Sequence, residues 1–138
     1  MDDLLASLKI SAAGMKVQGT RLRVISENLA NANSLPTGPG KSPYQRKNII
    51  FQNVLNREFG LNLVEVKKVG VDRSEFNSRF DPNHPAADDK GYVKTPNVNT
   101  LVEVMDMREA QRSYEANVEA IRSVRSMMQR TIGLLRGR

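Results

Sequence analysis

At 138 residues the chain is long enough for one domain of ordinary size. It has no cysteine, which excludes disulfide staples and thiolate metal sites, and no apolar run near the ~18 residues that span a bilayer. The net charge of +6 is dispersed: residues 1–35, 36–99 and 100–138 carry 4, 10 and 7 basic side chains against 3, 7 and 5 acidic ones, so no segment stands out as a nucleic-acid patch.

The opening Met1-Asp2-Asp3 is acidic and lacks the basic start and long apolar stretch of a cleaved signal peptide. This predicts a cytosolic chain, or one that leaves the cell without signal cleavage. Residues 3–32 then read as a long helix. One seam runs Leu5, Leu8, Ala12, Met15, Gly19, Leu22, Ser26 and Leu29, alternating large and small residues at steps of three and four. A second stripe, Ala6, Ile10, Ala13, Val17, Thr20 and Val24, keeps the same spacing roughly 160–200° around the cylinder. Two stripes on one helix mean burial from two sides. In a chain this short, the second burial is expected from other copies or other subunits, with the middle segment as the competing cover. The helix ends in Asn28-Leu29-Ala30-Asn31-Ala32-Asn33, where asparagine tolerates the left-handed closing conformation and Pro36 forbids continuation.

Three prolines and two glycines in residues 36–43 make a loop. Beyond it, Lys47-Asn48-Ile49-Ile50-Phe51 reads as a strand, and Phe51 to Phe59 is ambiguous between strand and short helix. Leu61-Asn62-Leu63-Val64-Glu65-Val66 and Val69-Gly70-Val71 read as strands from their β-branched residues. Asp81-Pro82-Asn83-His84-Pro85 is a turn-rich loop, followed by a short strand at Gly91-Tyr92-Val93-Lys94. Asp81, His84, Asp88 and Asp89 offer oxygen and imidazole donors, but with one histidine in a proline-fixed loop they read as structural. No metal ligand, cofactor site or catalytic residue is assigned, and the chain is not read as an enzyme.

Residues 100–135 are predicted as the longest helix, about 50 Å at ~1.5 Å per residue. Thr100 with Glu103 forms the expected capping box. Its seam is Val104, Met107, Gln111, Tyr114, Val118, Ile121, Arg125, Met128, Ile132 and Leu135. A weaker stripe holds Ala110, Ala120, Val124, Met127 and Leu134. Acids lead and arginines close this helix, which complements its macrodipole. The fold class follows: mainly α with a small β part. Long N- and C-terminal helices pair as an antiparallel coiled coil around a short, loop-rich β segment. The expected domains are a discontinuous helical core, 1–35 with 100–138, and a middle segment, 36–99. Candidate subunit-contact residues are Leu8, Met15, Leu22, Leu29, Tyr114, Val118, Ile121, Met128, Ile132 and Leu135, with Ile10, Val17 and Val24 for the opposite face.

Several motifs together resemble a known family. Asn28-Leu29-Ala30-Asn31-Ala32-Asn33 is similar to the N-terminal signature of the bacterial flagellar axial proteins, the rod, hook and hook-associated subunits. The resemblance extends through Pro43-Tyr44-Gln45-Arg46-Lys47, Phe80-Asp81-Pro82-Asn83-His84-Pro85-Ala86-Ala87-Asp88 and Gly91-Tyr92-Val93. It continues in Pro96-Asn97-Val98-Asn99 and Arg112-Ser113-Tyr114-Glu115-Ala116-Asn117-Val118, and so covers almost the whole chain. It implies a structural subunit of the basal-body rod, exported unfolded by the flagellar type III apparatus without signal cleavage. It implies helical assembly through the terminal helices into the proximal part of the periplasm-crossing drive shaft that carries torque to the hook. Implied partners are other copies, other rod proteins and the adaptor joining the rod to the MS ring and export gate, with no nucleic acid and no stable membrane insertion. Fluctuating terminal helices are expected before assembly. The alternative is a basic coiled-coil regulatory or nucleic-acid-binding module, which leaves the second apolar stripe unexplained.

Overall fold

The computed structural model describes residues 2–136. Met1, Gly137 and Arg138, which the sequence reading places in the helical core, lie outside the described residues. Helix α1 spans Asp2–Ala30 and helix α2 spans Thr100–Arg136. Between them run β1 (Lys47–Asn56), β2 (Leu61–Val71), β3 (Asn77–Phe80) and β4 (Tyr92–Thr95). β1 and β2 form one two-stranded sheet, β3 and β4 another. No helix is long and apolar enough to cross a membrane among the described residues.

Most elements fall where periodicity and turn chemistry put them, and five details differ. The ambiguous stretch after Phe51 continues β1, and the two apolar runs after Gly60 join into β2 across Lys67-Lys68. A 10- and an 11-residue strand around a short turn satisfy each other's backbone groups, which a short helix at 51–59 would not. β3 was not signalled, because Asn77-Ser78-Arg79-Phe80 has no apolar alternation; it exists through its antiparallel register with β4, Asn77 opposite Thr95 and Phe80 opposite Tyr92.

The end of α1 uses no left-handed asparagine: among the described residues only Gly40, Gly60 and Gly91 have positive φ. Instead the Asn31 amide nitrogens close the helix, backbone N–H and side-chain Nδ2 both donating to the Glu27 carbonyl at 3.1 and 2.8 Å. At the start of α2 the cap is Asn99, not Thr100. Asn99 Oδ1 accepts from the N–H groups of Leu101 (3.1 Å) and Val102 (3.3 Å), the reach expected of an N-cap side chain. Asparagine caps as well as threonine, and this choice frees Glu103 for a buried role.

The chain divides into two compact units, each drawing on both helices. The first comprises Met1–Leu22, Ile50–Lys68 and Arg108–Arg138. Its buried apolar residues include Val17, Ala110 and Val124. Val17 lies in a cleft with Ala13 and Thr20 of α1 and Val64 and Val66 of β2, so in this unit the second stripe of α1 is met by the middle segment. Gly14 backs onto Asn117: a Cβ built at Gly14 would stand 2.9 Å from the Asn117 side-chain amide.

The second unit comprises Arg23–Ile49 and Val69–Met107. Val24, Ile25, Ala32, Val93, Pro96 and Val98 are buried in it around two buried polar residues, Asn28 and Glu103. The link from β3 to β4 is held by its own backbone: Asp81 N–H donates to Gly91 O, and Asp88 N–H to Tyr92 O, both at 2.9 Å. His84 Nδ1 accepts the Ala86 N–H at 3.1 Å, and Asp88 Oδ1 accepts from the Lys90 and Tyr92 N–H groups at 2.9 and 2.8 Å. These donors and acceptors are therefore engaged in shaping the turn.

Candidate functional site

All the motif residues except Arg112 to Val118, which belong to the first unit, lie in the second unit. Asn28, near the end of α1, is 1 % exposed and makes every bond its amide allows. Its Nδ2 donates to the Lys47 carbonyl (2.9 Å) and to Glu103 Oε2 (3.0 Å). Its Oδ1 accepts from the Tyr44 hydroxyl (2.9 Å) and the Lys47 N–H (2.8 Å). Glu103, fully buried in the first turn of α2, takes the Arg46 guanidinium on its other oxygen at 2.6 Å. Arg46 also faces Asp72 at 3.5 Å and Asp106 at 3.9 Å.

Asn97, from the segment before α2, completes the arrangement. Its Oδ1 accepts the Arg46 N–H at 2.8 Å, and its Nδ2 donates to the Asp72 carbonyl at 3.1 Å and to Ser74 Oγ at 2.9 Å. Lys47 reaches back to Glu27 at 2.8 Å. Burial pushes the Tyr44 hydroxyl above its ordinary pKa, so it stays a donor. The Ser74 N–H, then its hydroxyl, holds the Asp72 carboxyl below its ordinary value. The Asn28 amide has every donor and acceptor taken within this network. What the network does is hold the end of α1, the start of β1 and the start of α2 in fixed relation. The sequence reading named Asn28, Tyr44, Arg46 and Asn97 only as motif members. Their joint role has no local signal, since Asn28 and Glu103 are 75 positions apart.

The candidate contact residues sort by exposure. Leu8, Met15, Leu22 and Leu29 are half-exposed, with Ala12 exposed and open space around Gly19. Tyr114, Val118, Ile121 and Met128 are also half-exposed, and Ile10, Ile132 and Leu135 are exposed at 48, 46 and 72 %. Val17 and Val24, assigned from sequence to the opposite face, are 4 % exposed and already covered within the chain. On α2 the inward positions are Glu103, Ala110 and Val124, with Asn117 half-buried. These are not the Val104–Gln111–Val118–Arg125 line of the expected seam, of which Val104, Gln111 and Arg125 are exposed. The buried positions stand one residue before that line. The sequence reading named Val104 in its seam but not Leu101, Val102 and Met105, which are exposed with it at the start of α2.

Comparison with known proteins places these features in a family. The profile for the C-terminal region of flagellar basal body rod FlgEFG proteins matches residues 89–134. Across nearly its full length the chain is similar to the flagellar basal-body rod protein FlgC of Agrobacterium fabrum, at 52 % identity over 99 % of this chain and 98 % of that protein. The FlgC protein of Escherichia coli O6:H1 is 41 % identical over 95 % of this chain and 97 % of its own. That of Bacillus subtilis is 35 % identical over 91 and 94 %.

Proposed function

The chain belongs to the family of flagellar basal-body rod proteins FlgC, and from that premise we propose that its outward apolar stripes join it to neighbouring rod subunits. It is a structural subunit of the flagellar basal-body rod. The observation that carries the contact reading is the sorting of the two α1 stripes. Val17 and Val24 are consumed inside the chain, whereas Leu8, Met15 and Leu29 keep half-exposed apolar side chains beside exposed Ala12 and open Gly19. Apolar side chains in a continuous line, with small residues between them, let another helix approach closely.

On this reading the helical core, 1–35 with 100–138, is the assembling part and segment 36–99 braces it. The contacts are heterologous and non-closing, the kind that builds a helical tube. The partners are other copies of the chain, neighbouring rod proteins and the adaptor at the base of the rod. The subunit reaches them through the flagellar type III export apparatus and, in the proximal rod, transmits torque toward the hook.

The test compares Met15→Asp with Val17→Asp in a strain lacking the native gene. Met15→Asp is expected to leave the purified chain folded and to abolish rod assembly, read by electron microscopy of basal bodies. Val17→Asp puts a carboxylate in a buried site and is expected to destabilise the chain itself. Normal rods and swimming with Met15→Asp would refute the outward-stripe reading.

A further inference from the structure

The first unit carries both an open cleft and an uncovered helix end. The cleft, about 310 Å³, lies between α1 and β2. Its floor is apolar: Val17 is buried, and Val64 and Val66 are half-buried. Its rim is polar, with Lys16 and Glu65 exposed and Thr20 half-buried. One turn of a helix, about 10 Å across and ~5.4 Å tall, needs more room than this. The cleft therefore suits inserted side chains rather than a helix laid along it.

The uncovered element is the end of α2. Residues 129–135 are all exposed. Seven successive positions make almost two turns, so every face of this stretch is open. Met127, Arg130 and Leu134 stand three and four residues apart and share one face. Met127 and Leu134 are apolar and exposed at 51 and 77 %, with the exposed Arg130 between them.

We propose that this face of α2 docks into the α1–β2 cleft of a second copy of the chain. Leu134 enters the apolar floor of Val17, Val64 and Val66, and Arg130 meets Glu65 at the rim. Neither Arg130 nor Glu65 has a salt bridge of its own among the described residues. Lys16, on α1, suits the incoming helix end, whose last carbonyls lack intrahelical partners and carry partial negative charge. The occupant is a second copy rather than the same chain, because α2 is one continuous helix to Arg136 and its end stands exposed, outside its own cleft. Cleft and helix end are different surfaces of one chain, so the contact is heterologous and repeats from copy to copy. It gives β2 a share in assembly. The inference rests on the assembly reading above.

The test is a charge reversal in a strain lacking the native gene. Glu65→Arg and Arg130→Glu change exposed positions, so each purified single variant is expected to keep its helical circular dichroism. Each is expected to lose swimming, and the two together to regain it, because the pair is restored with its signs exchanged. The chain has no cysteine, so Thr20→Cys and Leu134→Cys in one chain place one thiol at the cleft and one on the helix end. Oxidised basal bodies from that variant are expected to yield cross-linked dimers and higher multiples of this chain. Normal swimming by either single reversal, or no recovery in the double, overturns the inference. So does a cross-link confined to one chain, one made only to another rod protein, or none at all. Loss of helical signal in a single reversal overturns it too, because that charge would then serve the fold of its own chain. If the cysteine pair does not assemble, the reversal series decides alone. Normal rods with Met15→Asp beside rescue in the reversed pair would remove the outward-stripe reading and leave this contact. Lost rods with Met15→Asp and no rescue would remove this contact alone.

Discussion

Arg46 and Glu103 form an unequal pair: their charged groups stand 2.6 Å apart, yet the Glu103 side chain is 1 % exposed and that of Arg46 is 25 % exposed. The inequality predicts which deletion is worse. Arg46→Ala leaves a carboxylate buried with only the Asn28 amide against it and is expected to cost about 3–5 kcal/mol of stability. Glu103→Ala leaves a guanidinium that still faces Asp72 and Asp106 and still reaches water, at a cost of about 1–3 kcal/mol. Urea unfolding of the two variants should give that order. The reverse order would mean that Glu103 relaxes to solvent when Arg46 is gone.

This network and the β3–β4 turn set the pH response. Three carboxyls are held below their ordinary values: Asp72, first by the Ser74 N–H; Glu27, first by the Lys47 ammonium; and Asp88, first by the Tyr92 N–H. A depressed carboxylate contributes stability that is complete above its unfolded value, 3.8 for aspartate and 4.5 for glutamate, and is lost as pH falls through the folded value. The contribution of these groups should therefore be level above about pH 5 and decline below about pH 4. Tyr44 and Lys47 act on the other side. Tyr44 is raised first by burial and Lys47 first by its bond to Glu27, so their contribution is present below pH 10 and falls as pH rises through the raised values. Thermal melts from pH 3 to 11 check both limbs, and Asp72→Asn should flatten the acid limb.

Gly91 is the position in the β3–β4 unit that a side chain should not enter. Its φ is +83°, and a Cβ there would lie 3.0 Å from the Phe80 ring and 3.1 Å from Pro82. The ring is one half of an edge-to-face pair with Tyr92, centroids 5.3 Å apart. Gly91→Ala therefore combines left-handed strain with displacement of Phe80, and about 2 kcal/mol of destabilisation is expected. A near-ultraviolet circular dichroism change from Tyr92 should accompany the lower urea midpoint. An unchanged midpoint would show that the turn relaxes around the methyl group.

What the sequence revealed follows the range of each signal. Helices α1 and α2 were legible because three–four periodicity is written locally, and β1, β2 and β4 because β-branched residues cluster there. β3 was not, since Asn77-Ser78-Arg79-Phe80 becomes a strand only by pairing with β4. Which α1 stripe turns inward was also illegible. Leu8–Met15–Leu22 and Val17–Val24 have the same spacing and similar hydropathy, and Val17 is met by Val64 and Val66 of β2, which are remote in sequence. Glu103 shows the limit well. Three residues after Thr100 it fits a capping box, but Asn99 caps the helix and the carboxylate goes to Arg46.

Two glycines on α1 separate folding from assembly. Gly14 lies against Asn117, whose Nδ2 donates to the Ser113 carbonyl at 2.8 Å. Alanine there gains about 1 kcal/mol of helix propensity but must turn the Asn117 amide off that bond, which costs about as much, so Gly14→Ala should be nearly neutral. Gly14→Leu, with no space to enter, should destabilise by about 3 kcal/mol or more through overpacking. Gly19 is different: nothing lies within 4 Å of a Cβ built on it. Gly19→Ala should therefore raise the stability of the isolated chain by about 0.5–1 kcal/mol. Gly19→Leu should leave that stability near the wild-type level while filling the open strip between Met15 and Leu22. If that strip receives a helix from a neighbouring subunit, Gly19→Leu abolishes swimming in a chain that still folds. Full motility with a leucine at this position would show that the strip faces solvent in the rod, and the contact would have to be sought at the exposed apolar turn from Leu101 to Met105.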